Sequence, residues 1–131
     1  MPALHVFEYA TVRLVPRIER EEFVNAGVLL LCRDQRFLQY RWLLPETKLL
    51  ALAGSAVPHF PVAELELRLA AIARICQGGQ TGGPIGALGL AERFRWLTAQ
   101  RSTIIQCSPV HPGLCTDPLA TLEQLFSQLV Q

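Results

Sequence analysis

The run VPRIEREEFVNAGVLLLC, Val15 to Cys32, joins two unlike kinds of chain. Arg17, Glu19, Arg20, Glu21 and Glu22 fall within six residues, and the next ten are apolar except for Asn25 and Gly27. Phe23 to Cys32 has the length and composition of a strand. Its alternating sets, Val24, Ala26, Val28, Leu30 and Phe23, Leu29, Leu31, are both apolar. A strand without a polar face needs cover on both sides, so it is expected to be central in a sheet. The charges then form the connection that enters it at one edge of the sheet, where loops commonly carry function.

Upstream, His5 to Val15 carries aromatic and β-branched side chains at strand density, and Pro16 removes a ladder donor and ends the run. Downstream, Arg33-Asp34-Gln35-Arg36 is short enough for a hairpin. Phe37 to Leu44 then alternates Leu38, Tyr40, Trp42 and Leu44 against Gln39 and Arg41. After Pro45 the period changes. Glu46 to Ala53 reads as a short helix stopped by Gly54, and Pro61 to Gln77 as a longer one with Leu65, Leu69, Ile72 and Cys76 on one stripe. Glu64 and Arg68 form an i,i+4 pair on it, and Gly78-Gly79 supplies a left-handed stop. Six glycines between 78 and 89 read as a flexible loop. No strand precedes them and no Gly-Lys-Ser or Gly-Lys-Thr comes after, so a phosphate-cradling loop does not fit.

Phe94 to Thr98 and Thr103 to Ser108 are expected as a second hairpin, with Pro109 and Pro112 holding the next segment out of regular structure. Asp117 reads as an N-cap with Pro118 at the first helical position, and Leu119, Leu122, Phe126 and Leu129 line a final helix. The expected fold is α+β, a single domain over residues 1–131. It has an antiparallel sheet of about five strands from two hairpin regions, with about two to three helices packed against it.

Composition narrows the function classes. The formal net charge is +1 with 18% charged residues, and no basic run or tail could neutralise many phosphates, so no nucleic-acid role is expected. The longest apolar run is far short of the ~20 residues that span a bilayer, so no membrane role is expected. The start of the chain lacks the pattern of a secretory signal, so a cytoplasmic location is expected. Four dispersed cysteines then read as reduced thiols. Arginine outnumbers lysine eleven to one, which suits bidentate anion recognition but also arises from compositional bias.

Three segments carry a resemblance: RLVPRIEREEFVNAGVLLLC (Arg13 to Cys32), GPIGALGLAERFRWLTAQRSTIIQCSPVHPGL (Gly83 to Leu114) and the DPLATLEQLFSQLV tail. Together they resemble the bacterial domain-of-unknown-function family numbered 3037, over essentially the whole chain. The resemblance implies no activity, cofactor or catalytic residue. It does imply a protein partner, since members are often encoded beside HipA-like kinase-fold proteins. The chain departs from the pattern at Gln100, where a turn proline is common, and at Cys107 and Cys115, which argues against a thiol or metal role for those cysteines.

Candidate ligand-binding residues are Arg13, Arg17, Arg20 and Asn25 in the first motif, and Arg95, Arg101, Ser102, Ser108 and His111 in the second, with Thr103 beside them. If the two regions meet, the arginines and hydroxyls form a fork for phosphate or carboxylate. In the competing reading Arg95 or Arg101 pairs internally with Glu19 or Glu22. Cys107-x3-His111-x3-Cys115 lacks the paired short spacing of structural zinc sites, so no metal is expected, and no cofactor either. Glu22 and His111 are the catalytic candidates, as proton carriers. Ser108 or Cys115 with His111 is a further nucleophile and base, though no Gly-x-Ser-x-Gly elbow is present. His5 and His59 have no evident partners.

Three functions remain open. One is an accessory or regulatory protein-binding domain, with a HipA-like kinase as its partner. Another is a small enzyme acting on a phosphorylated small molecule. The third is a structural domain with an internal ionic network. The absence of a catalytic motif favours a non-enzyme.

Overall fold

The strand that must be covered on both faces is so covered. In the computed structural model, which describes residues 3–53 and 62–131, β2 (Val24–Cys32) lies between β1 (His5–Leu14) and β3 (Phe37–Trp42) in an antiparallel meander. Leu29, Leu30 and Leu31 are 0–1% exposed, and truncating any one to alanine costs about 2–5 kcal/mol. The hairpin turn over residues 33–36 closes with Arg36 N–H donating to Arg33 O and Arg36 in the left-handed region.

Two further strands, β4 (Ile105–Cys107) and β5 (His111–Cys115), pair antiparallel with the far side of β1, one after the other. The sheet therefore has five strands. Against one face pack α1 (Glu46–Ala53), α2 (Val62–Gln77) and α4 (Leu90–Thr98), whose Leu49, Leu65, Leu69, Phe94 and Leu97 meet Val12, Leu14, Leu29 and Leu31. Against the other packs α5 (Pro118–Leu129), whose Leu122 and Phe126 meet Phe7, Val28 and Leu30. The α5 N-terminus forms as expected: Leu119 and Ala120 N–H groups donate to the Asp117 carboxylate at 3.1 and 3.4 Å, with Pro118 at the first helical position. Leu119, expected on the buried face, is 48% exposed.

Within the sheet, Val12 pairs with Gly27 but Arg13 with Asn25, so Ala26 is an extra residue in β2. This bulge turns Asn25 to the α5 side while keeping Ala26 in the opposite core. Gly27 is required by close approach. A Cβ there would lie 2.7 Å from Tyr40 Cε1 and 3.0 Å from Arg41 O, so a neighbouring strand, and no ligand, occupies the space.

Three expectations need correction. Phe94 to Thr98 is not a strand: it is the end of α4, whose buried Arg93, Phe94 and Leu97 keep a helical period. The alternation of Phe94, Trp96 and Thr98 with Arg95 and Leu97 imitates a strand. Second, the proline-bounded segment is β5, an edge strand, where Pro112 is tolerated. The sheet is thus a meander extended by β4 and β5, without a second hairpin. Third, the glycine-rich stretch forms a 3-10 turn (Gly79–Gly82) and one helical turn, α3 (Gly83–Gly86). A Cβ on Gly86 would overlap Gly79 O, so glycine permits backbone against backbone. Five helices are present among the described residues, more than expected. Gly54, His59 and Pro61 lie outside the described residues.

Candidate functional site

A helix ends with carbonyls that lack intrahelical partners, and a cation there also meets the negative end of the helix dipole. This chain assigns side chains to three such ends, two of them from distant elements and one from the residues that follow the helix. Arg93, only 7% exposed, donates from Nη1 to Ile75 O at 2.8 Å and Cys76 O at 2.7 Å, closing α2, and from Nε to Leu88 O at 2.9 Å. Arg101 donates from Nη1 to Leu97 O and Ala99 O and from Nη2 to Trp96 O, closing α4. Asn25 Nδ2 donates to Leu129 O at 3.0 Å and Lys48 Nζ to Val130 O at 3.2 Å, closing α5. Of these, Asn25 and Arg101 were ligand candidates. Arg93, Lys48 and Glu8 were missed; Arg93 would have stood out once Leu90, Arg93 and Leu97 were recognised as one helical face.

The second motif is divided between the faces of the sheet. Between β4 and β5 the ladder is interrupted at Ser108, whose buried hydroxyl accepts Thr11 N–H at 2.9 Å and donates to Pro109 O at 2.8 Å, while Ser108 N–H donates to Thr11 O. The side chain substitutes for a ladder carbonyl. The two sides of this interruption face opposite ways: Cys107 of β4 packs on the α4 side and Cys115 of β5 on the α5 side. His111 is exposed on β5 and packs on Tyr9, ring centroids 5.3 Å apart. Cys107 and Cys115 therefore do not converge, and among the described residues no three His, Cys, Asp or Glu side chains cluster as metal ligands. Arg95 pairs with Glu8 of β1 at 2.7 Å, and this carboxylate holds its guanidinium above the ordinary range. The expected pairing of Arg95 or Arg101 with Glu19 or Glu22 is replaced by these contacts.

The opening charges sit on a 3-10 turn, Ile18–Arg20, ended by Glu21 in the left-handed region. Glu22 pairs locally with Arg20, both about half exposed, a contact worth about 0–1 kcal/mol. Arg17 has no side-chain hydrogen bond or ion pair among the described residues. The two motifs do meet at one place. A cleft of about 390 Å³ is lined by Arg13, Glu21 and Phe23 from one and Arg101, Ser102 and Gln106 from the other. The Arg13 guanidinium lies over the Phe23 ring, 3.9 Å from its centroid.

Thiol chemistry is disfavoured at three of the four cysteines. Burial pushes Cys107 up to about 11 despite Arg101 and Arg13 nearby, and pushes Cys76 up to about 12. Cys32 is raised to about 11 by burial and by its hydrogen bond to Asp34. At neutral pH these three are thiols, which are poor nucleophiles. Burial likewise raises Tyr40, whose hydroxyl is buried without a partner.

Residues 9–130 match the model of a protein family described as a protein of unknown function, DUF3037. The chain belongs to this family. The match spans both charged motifs and all of the sheet except the first four residues of β1, so the DUF3037 fold in this chain is the sheet with helices on both faces described above. Neither a search of curated proteins nor one of solved structures returns a match. Among the described residues of this DUF3037 chain, no helix is long and apolar enough to cross a membrane.

Proposed function

We propose that this chain is an accessory protein-binding domain that acts in the cytoplasm on a partner of HipA-like kinase fold. The observation that carries the reading is an apolar strip at one end of the sheet. Val6 and Leu114 oppose each other directly across β1 and β5, 61% and 62% exposed, and Leu4 precedes them at 63%. Contiguous exposed apolar groups of this kind on a sheet face mark contact surfaces. The disposition of the reactive groups points the same way. The Ser108 hydroxyl belongs to the sheet, Glu22 is held by Arg20, and three thiols are raised far above neutrality.

The test is direct binding between the purified chain and a purified HipA-like kinase-fold protein from the same organism, by titration calorimetry. Val6→Glu and Leu114→Glu must abolish binding while melting within a few degrees of the parent chain, since both positions are exposed. Absence of binding by the parent chain, or binding unchanged in both variants, refutes the reading.

A further inference from the structure

We propose that the cleft between the two charged motifs is a binding site for a monocarboxylate carried on an apolar body. It lies at the opposite end of β1 from the apolar strip and is independent of the partner reading. Arg13 provides the first observation. It sits inside the sheet, paired on one side with Asn25 of β2 and on the other with Gln106 of β4. Its Nε is buried without a hydrogen-bond partner. Among the described residues no carboxylate lies within ion-pair distance of Arg13, and residues 54–61 contain no acidic residue. A partly buried guanidinium without an anion is costly unless something supplies the missing charge and acceptors.

The cleft supplies the rest of a site. Its volume, about 390 Å³, is that of a small-ligand pocket. Arg101 lines it with its position locked, because both terminal nitrogens are committed to the end of α4. Ser102 also lines the cleft, and the Gln106 side chain is fixed by donating to Thr103 O at 2.8 Å. Charge decides the class of anion. Two guanidinium groups and the single Glu21 carboxylate line the cleft, leaving one net positive charge, which suits a monoanion and disfavours a dianionic phosphate. A carboxylate also matches the planar fork of one arginine in bidentate geometry. Phe23 and Ile18, 43% and 46% exposed, give an apolar wall for the remainder of the molecule.

The same chemistry is offered by a free organic acid and by the C-terminal carboxylate of a peptide. The experiment titrates the full chain, monitored by amide chemical shifts, with four probes: N-acetylphenylalanine, its methylamide, a tripeptide ending in phenylalanine with a free carboxylate, and inorganic phosphate. N-acetylphenylalanine should saturate with shifts centred on Arg13, Ser102 and Gln106, and the methylamide should fail. Arg13→Gln should weaken binding by about tenfold or more. Arg13→Lys keeps the charge but loses the planar fork and the guanidinium over Phe23, so it should weaken binding several-fold while melting within a few degrees of the parent chain. Tighter binding of the tripeptide assigns the peptide source, and equal or weaker binding assigns the free acid. No saturation by any carboxylate, equal binding of acid and methylamide, or preference for phosphate overturns the proposal.

Discussion

Replacing Arg93 by methionine should be among the most damaging single changes outside the apolar core. The side chain is 7% exposed and donates three hydrogen bonds of 2.7–2.9 Å to carbonyls of Ile75, Cys76 and Leu88. It thereby closes α2 and ties it to the segment that leads into α4. Hydrogen bonds from a charged donor contribute about 1.5–3 kcal/mol each, but not additively. A cleft of about 520 Å³ borders Arg93, Cys76 and Gln77, so water reaches part of the site and rehydrates some of what is lost. The expected net loss is about 3 kcal/mol, with methionine keeping most of the volume. In a domain of this size, about 3 kcal/mol lowers the midpoint by roughly 10–15 °C. Arg93→Lys, which can recover at most part of the set, should fall between. Urea and thermal unfolding monitored by circular dichroism measure both variants. A loss under about 1 kcal/mol for Arg93→Met would show that the carbonyls are satisfied equally well by water, and the capping role would fall.

The remaining contacts set further outcomes. Ser108→Ala leaves Thr11 N–H without its acceptor in a buried position and should cost about 1–3 kcal/mol in urea unfolding; Ser108→Thr, which keeps the hydroxyl, should recover part of it. Cys32, Cys76 and Cys107, raised to about 11, 12 and 11, should resist iodoacetamide at pH 8 in the folded chain and react once it is unfolded, as read by mass spectrometry. Hydrogen bonds from His5 and Cys32 hold Asp34 below the usual carboxylate range. A carboxylate depressed in the folded state stabilises the fold above its unfolded pKa, and that contribution is lost as pH falls below about 4. Asp34→Asn should therefore lower the acid dependence of the thermal midpoint below about pH 4.

The local patterns were legible wherever one interaction dominated. A run apolar on both faces, Phe23 to Cys32, reads as a covered central strand, and Val24–Cys32 forms one. The stripe of Leu65, Leu69 and Cys76 and the Asp117-Pro118 start are likewise readable, because a helical period and a cap need only neighbours in sequence. Hence the α+β class, the antiparallel sheet and α5 were all contained in the amino-acid order.

The order of residues does not carry the choice among distant partners. Arg93 and Lys48 look like solvated charges in sequence and Arg101 like a ligand group, yet each closes a helix end supplied by folding, because carbonyls without partners exist only once helices have definite ends. Phe94 to Thr98 alternates like a strand, and packing of α4 against the sheet decided for helix. The segment after Pro109 became a strand because β1 had an open side, an edge no local pattern reveals. The candidate site has the same origin. Arg13 and Arg101 lie far apart in the chain, and only the pairing of β4 with the end of β1 places both on one cleft. Local periodicity determined the elements; the shared sheet and the unsatisfied carbonyls at helix ends decided which charges remained free to bind.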